Sequence, residues 1–193
     1  MLKKEIRILG FDDGAFVSRS KEPVPVIGVV FRGGTIIDGA LKTEVTVDGA
    51  DATDKIVKLI NESRHKQQLK VVMLDGITLA GFNVVDIKGL NEQTGIPVIV
   101  INRKIPNIQK VKAALKKFPD FEQKLKAVDN AGEIKDCYVK DFKKIYYQCI
   151  GISDDTAREI IKLSSTRSYI PEPLRVAHLL ATAFVKGESY GQA

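Results

Sequence analysis

The chain has 193 residues, 44% of them hydrophobic and 28% charged, which suits one domain with a sizeable buried core. No run approaches the ~18 apolar residues of a membrane span, and Met1-Leu2-Lys3-Lys4-Glu5 opens no long apolar leader, so a cytoplasmic protein is expected. The formal charge of +6, from 30 Lys+Arg against 24 Asp+Glu, points mildly to a polyanionic partner such as DNA or RNA.

Residues 5–11 alternate polar and apolar and then turn apolar, which predicts a strand ending at Asp12-Asp13-Gly14. Residues 24–31 form a strongly β run. Arg32-Gly33-Gly34-Thr35 is a hairpin signal, because Gly-Gly accepts positive φ, and residues 36–47 alternate again. These three segments predict an antiparallel meander. The acidic stretch 48–54 opens a helix with Ile56, Val57, Leu59 and Ile60 on its apolar stripe. Val71-Val72-Met73-Leu74 reads as a buried parallel strand closed by Asp75-Gly76. A helix is predicted from Val84, with Asn83 as a candidate cap, ending at Thr94-Gly95. Residues 96–101 are a second buried strand with Asn102-Arg103-Lys104 at its end.

Further on, residues 107–118 predict a lysine-rich amphipathic helix and 121–128 a short one. Residues 134–138 and 144–150 look like a strand pair, Ser153 caps a helix over 154–163, and 173–186 is a terminal helix before a frayable tail, 187–193. The order β-β-β-α-β-α-β predicts an α/β mixed sheet: an antiparallel three-strand meander followed by helix-linked parallel strands, with flanking helices and a C-terminal helical and strand extension. A single domain over 1–193 is expected, with a core of about 4–118 and an extension of about 119–186. Cys137 and Cys149 lack zinc-ligand spacing and are expected as free thiols.

Asp12 and Asp75 fall at the C-terminal ends of the first and fourth strands, where open α/β sheets bind ligands. If the fourth strand returns beside the first, both carboxylates reach one crevice. A third acid comes from the entrance to the first helix, Asp51 by preference, with Asp48 and Asp54 left open. Carboxylates gathered from separate segments build oxygen-ligand sites for Mg2+ or Mn2+. Taken singly, each also reads as turn or cap chemistry. Arg103 and Lys104, with Lys110 and Lys112 on the next helix, predict a phosphate-contacting surface or, more plainly, a solvated face. His178 reads as a packed histidine and His65 as a surface one.

Gly10-Phe11-Asp12, Val71-Val72-Met73-Leu74-Asp75-Gly76 and Gly95-Ile96-Pro97-Val98-Ile99-Val100-Ile101-Asn102-Arg103-Lys104 resemble endonuclease V, a ribonuclease-H-like, Mg2+-dependent nuclease acting near deaminated bases. Val47-Asp48-Gly49-Ala50-Asp51-Ala52-Thr53, Gly76-Ile77-Thr78-Leu79-Ala80-Gly81-Phe82-Asn83 and Pro173-Leu174-Arg175-Val176-Ala177-His178 extend a likeness over nearly the whole chain. They resemble a largely archaeal family of unknown function (domain of unknown function ninety-nine), distantly related to endonuclease V. The resemblance implies a ribonuclease-H-like sheet and a divalent-metal-dependent protein that processes DNA or RNA. It implies Asp12, Asp51 and Asp75 as catalytic ligands of Mg2+ or Mn2+, and a catalytic Arg103. Asp51 stands where endonuclease V has a glutamate, and Arg103 where it has a lysine. The chain departs from that pattern at Ile77-Thr78, which replaces His-Gly, and it lacks a Pro-Tyr-Ile-Pro wedge before Asp51. The residues also allow a non-catalytic nucleic-acid-binding protein, or a binder of small phosphates or nucleotides built on the loop after Asp75. The oligomeric state is not legible.

Overall fold

A computed structural model describes residues 3–139 and 143–189. The part of the expected tail over 190–193 lies outside the described residues. β1 (Arg7–Asp13), β2 (Pro23–Arg32) and β3 (Ile36–Thr46) form the expected antiparallel meander. β4 (Leu69–Asp75) lies parallel beside β1, and β7 (Val98–Asn102) lies parallel beside β4. α1 (Ala52–Glu62) and α2 (Ile87–Thr94) make the crossovers. The late strand pair extends the same sheet: β9 (Lys144–Ile150) pairs antiparallel with β7, and β8 (Lys135–Tyr138) forms the far edge. The strand order is β3-β2-β1-β4-β7-β9-β8. A separate two-strand hairpin, β5 (Thr78–Leu79) with β6 (Asn83–Val84), follows the end of β4.

β4 and β7 are continuously apolar because both faces of the sheet are covered. Successive side chains point to opposite faces. Leu9, Phe11, Val72, Leu74, Val98 and Val100 therefore pack toward α1 and α2, in one core with Ile56, Ile60 and Leu90. Ile8, Val71, Met73, Ile99 and Ile101 pack the other way, against α5 (Asp154–Ser164) and the start of α6 (Glu172–Lys186). Ala177 and Ala181 of α6 continue onto Ile27, Val29 and Phe31 of β2. Cys137 and Cys149 are free thiols.

The second helix starts later than its apolar pattern predicts. Asn83 and Val84 belong to β6, and α2 begins at Ile87, capped by Asp86, whose carboxylate accepts the Lys88 and Gly89 N–H groups at 3.2 Å. Asn83 caps a different helix: fully buried, its Oδ1 accepts the Ala52 N–H of α1 at 3.1 Å, and its Nδ2 donates to Thr46 O at 2.9 Å. The basic helix is also shorter than expected, running as α3 (Ile108–Leu115) with Asn107 as its cap, and α4 (Phe121–Asn130) follows.

α6 approaches β1 at Gly10, where an added Cβ would stand 2.5 Å from Pro173 C and 2.8 Å from Leu174 N. These are backbone atoms, so no flexible side-chain end can give way. Gly10→Ala therefore forces α6 off the sheet. We expect it to cost about 1–3 kcal/mol, the range for overpacking, measured by urea unfolding.

Candidate active site

The side-chain parity that builds the two cores also builds the cleft. Ile8 faces α6, so Gly10 and Asp12 face it too; Val71 and Met73 face it, so Asp75 does as well. β1 and β4 pair in parallel with Phe11 opposite Leu74, which brings Asp12 and Asp75 to the same end of neighbouring strands. Gly76 turns the chain away at φ +82°, a conformation that favours glycine, while its N–H donates to Ile101 O at 2.8 Å. Arg103 follows β7, and α6 passes above with His178. The result is an open cleft of about 610 Å³ whose lining includes Asp12, Asp75, Arg103, Lys104 and His178.

Two pairs join charged groups of the cleft. Arg103 Nη2 stands 2.9 Å from Asp75 Oδ2, and His178 Nδ1 stands 2.7 Å from Asp12 Oδ2. Burial pushes the Asp75 carboxyl above its usual range, and the neighbouring Asp12 charge adds to the push; Arg103 and His178 oppose it. The hydrogen bond that His178 donates to Asp12 raises the His178 pKa against the effect of burial. Two acids thus stand side by side at the sheet end, with two cationic groups moderating the repulsion.

The other expected members fall elsewhere. Asp51 is not brought to the cleft. Its carboxylate accepts the Thr46 N–H at 3.1 Å, the Thr46 hydroxyl at 3.0 Å and the Asn83 amide at 2.6 Å, tying the end of β3 to β6. It makes no side-chain cap bond to α1 either. Burial works to raise its pKa, but the bonds from Thr46 and Asn83 prevail and hold it below the ordinary value. Asp48 does not line the cleft either; its Oδ1 accepts the Phe82 N–H at 2.9 Å. Asp54 is exposed in the first turn of α1. Lys104 lines the cleft, whereas Lys110 is exposed on α3 and Lys112 pairs with Asp129 at 2.6 Å; neither of these two lines it. Among the described residues, no three acidic, histidine or cysteine side chains converge as a ready-made metal centre.

His178 is the member that sequence reasoning set aside as a packed histidine. A signal was present: it stands one helical turn after Leu174, beside the inward stripe of Leu174, Ala177 and Ala181. A polar ring on the inward edge of a helix over a sheet end needs a partner, and Asp12 supplies it.

A mixed sheet of this order, with two acids at the ends of adjacent strands and basic groups around them, defines a ribonuclease-H-like α/β protein with an acidic cleft. The chain belongs to the endonuclease dU family, whose profile matches residues 4–185. A UPF0215 protein of Methanothermobacter thermautotrophicus is 51% identical over 193 residues, covering 100% of this chain and 94% of that one. A solved protein of unknown function from Archaeoglobus fulgidus is similar at a TM-score of 0.85 and 38% identity, over 95% of this chain and 100% of that one. Endonuclease V of Ciona intestinalis, solved with inosine-containing DNA, is similar at a TM-score of 0.64 and 17% identity, over 95% and 87%. That last likeness is one of fold.

Asp51 serves as an anchor in this geometry, so Asp51→Ala should destabilise the protein by about 1–3 kcal/mol at pH 7 in urea unfolding. Because its folded-state pKa is lowered, Asp51 contributes stability above the unfolded value of about 3.9, and loses it as pH falls through the folded value. The gap between wild type and variant should therefore close below about pH 4.

Proposed function

We propose that the chain is a divalent-metal-dependent endonuclease acting on uracil-containing nucleic acid. The observation that carries this reading is the placement of Asp12 and Asp75 at the ends of adjacent strands in one open cleft beside Arg103, Lys104 and His178. The donor set fits Mg2+ or Mn2+: two hard carboxylates in a cleft open to water, with the charge of one raising the pKa of the other. Such cations bind through one or two carboxylates and keep several waters. Bound between Asp12 and Asp75, the metal would supply Lewis-acid stabilisation of charge on the phosphoryl oxygens.

The chain's own residues do the rest. Asp12 and Asp75 would hold the cation. Arg103, exchanged from Asp75 to a phosphate oxygen, orients the phosphodiester, and Lys104 contacts a flanking phosphate. His178 keeps Asp12 oriented through Nδ1 and carries a proton for the leaving oxygen at Nε2. The family's endonuclease dU description and the endonuclease V fold support this reading.

A second reading, a nucleic-acid-binding protein without catalysis, is favoured by one pair of observations: Asp51 is bound elsewhere, and Arg103 already holds Asp75. A binder of small phosphates or nucleotides would use the same basic groups.

The nuclease reading predicts that Mg2+ or Mn2+ raises the melting temperature of the wild type and leaves Asp75→Asn unmoved. It also predicts metal-dependent cleavage of uracil-containing strands, abolished by Asp12→Ala and reduced by about 100-fold or more in His178→Ala, the scale of a lost general acid. Salt-sensitive binding of nucleic acid with no cleavage in either metal would establish the second reading.

A further inference from the structure

The end of the sheet remote from the cleft carries a second cavity, of about 450 Å³. Arg7, Arg32 and Arg64 line it, with Asp38, His65 and Gln68. They come from the start of β1, the end of β2, β3 and the turn before β4. Arg7 stands five residues before Asp12 on β1, a span of about 17 Å, so this cavity and the cleft are separate. Three of the chain's eight arginines line it and, among the described residues, no lysine does.

The arginines are held in a way that leaves donors over. Arg7 and Arg32 stand directly opposite in the β1–β2 ladder, a like-charge pair that costs stability. Asp38 compensates both: its Oδ2 accepts from Arg7 Nε at 2.8 Å, and Arg32 donates to its two oxygens at 3.1–3.3 Å. One negative charge thus serves two positive ones, and Arg7 spends only Nε on it. The Asp38 side chain is 14% exposed against 28% for Arg7 and 35% for Arg32, so an incoming anion meets guanidinium before carboxylate. Gly39 lets the turn before β4 come close: an added Cβ there would stand 2.7 Å from His65 Nε2. That approach sets Arg64 on the same cavity, its Nε donating to His65 Nε2 at 3.4 Å. Among the described residues, the terminal nitrogens of Arg7 and Arg64 make no hydrogen bond.

We propose that this cavity binds a phosphate dianion, the form carried by free phosphate and by the terminal phosphate of a nucleic-acid strand. The cavity is short of acceptors, not of donors: three guanidiniums against one carboxylate leave a surplus of two positive charges with His65 neutral. A phosphomonoester brings about −1.5 to −2 charge and three acceptor oxygens, and a guanidinium fork matches those oxygens in pairs. A diester within a strand brings one charge and two free oxygens, and its chain continues on both sides. Arginines from three separate segments closing on one cavity suit a phosphate that ends a chain. A merely solvated face would be served as well by lysines, with no carboxylate shared between two forks. The site lies apart from the cleft, so the proposal does not rest on the nuclease reading.

The test is amide NMR of the full chain in EDTA, where no metal holds phosphate in the cleft, at one ionic strength set with chloride. The titrants are sodium phosphate, dimethyl phosphate, and a short oligothymidylate with a phosphate at its 5′ end, at its 3′ end or at neither. Sodium phosphate should shift the amides of Gly39, His65 and Gln68 together and to saturation, and dimethyl phosphate should bind about tenfold more weakly, the scale of one charge-assisted hydrogen bond. Arg64→Gln removes an exposed side chain with one long hydrogen bond, so it should keep the urea midpoint and weaken phosphate by about tenfold. Arg7→Lys keeps the charge and the pairing with Asp38 but loses the free end of the fork, and should weaken phosphate comparably. Shifts with a terminally phosphorylated strand and none with its unphosphorylated twin would assign the site to strand ends, and shifts with sodium phosphate alone would assign it to small phosphates. No saturable shift at these amides above the chloride background, equal binding of dimethyl phosphate, or phosphate binding unchanged in either variant would each overturn the proposal.

Discussion

The close approach of α6 to β1 at Gly10 is the contact on which the cleft depends. Gly10 and Asp12 stand two residues apart on one face of a strand, a span of about 6.6 Å. Leu174 and His178 stand four apart on a helix, a span of about 6 Å. Once Pro173 and Leu174 seat against the bare Cα of Gly10, the next turn of α6 is carried to the level of Asp12, and the 2.7 Å contact with His178 follows. The helix start is fixed independently: Glu172, 3% exposed, accepts from Arg175 at 2.7–3.1 Å beside the helix N-terminus, where a carboxylate is favoured. A side chain at position 10 would thus act on the site without touching it.

How much of this was legible in the sequence follows from which interactions are local. Period-two patterning is local, so Ile8-Gly10-Asp12 and Val71-Met73-Asp75 could be read as two rows, while the return of β4 beside β1 was a condition that the strand order supplies. The acid at the helix entrance was not legible in the same way. Asp51 has hydrogen-bond capacity for a metal or for its surroundings, and what settles it is Asn83, 32 positions further on, whose amide and carbonyl bridge Asp51 and Ala52. Nothing in the spacing links them. The same residue explains the late start of α2: an asparagine committed to capping α1 cannot also cap the helix that follows it, and Asp86 takes over. His178 was half legible, since its place beside the Leu174-Ala177-Ala181 stripe announced an inward polar ring but not the identity of its partner.

Asp12 and Asp13 are consecutive, and the pleat sends them to opposite faces. Asp12 meets His178 in the cleft, while Asp13 crosses to the far side and accepts the Ala80 N–H. Burial, reinforced by the Asp12 charge, pushes the Asp13 carboxyl up to about 7 even though the Ala80 N–H pulls it down. The two carboxyls are coupled through space as well as through one peptide bond. Asp13 is what fastens the 80–82 turn, and that turn meets Asp48, whose N–H donates to Ala80 O and whose Oδ1 accepts the Phe82 N–H. The end of β1 therefore serves both faces of the sheet at once.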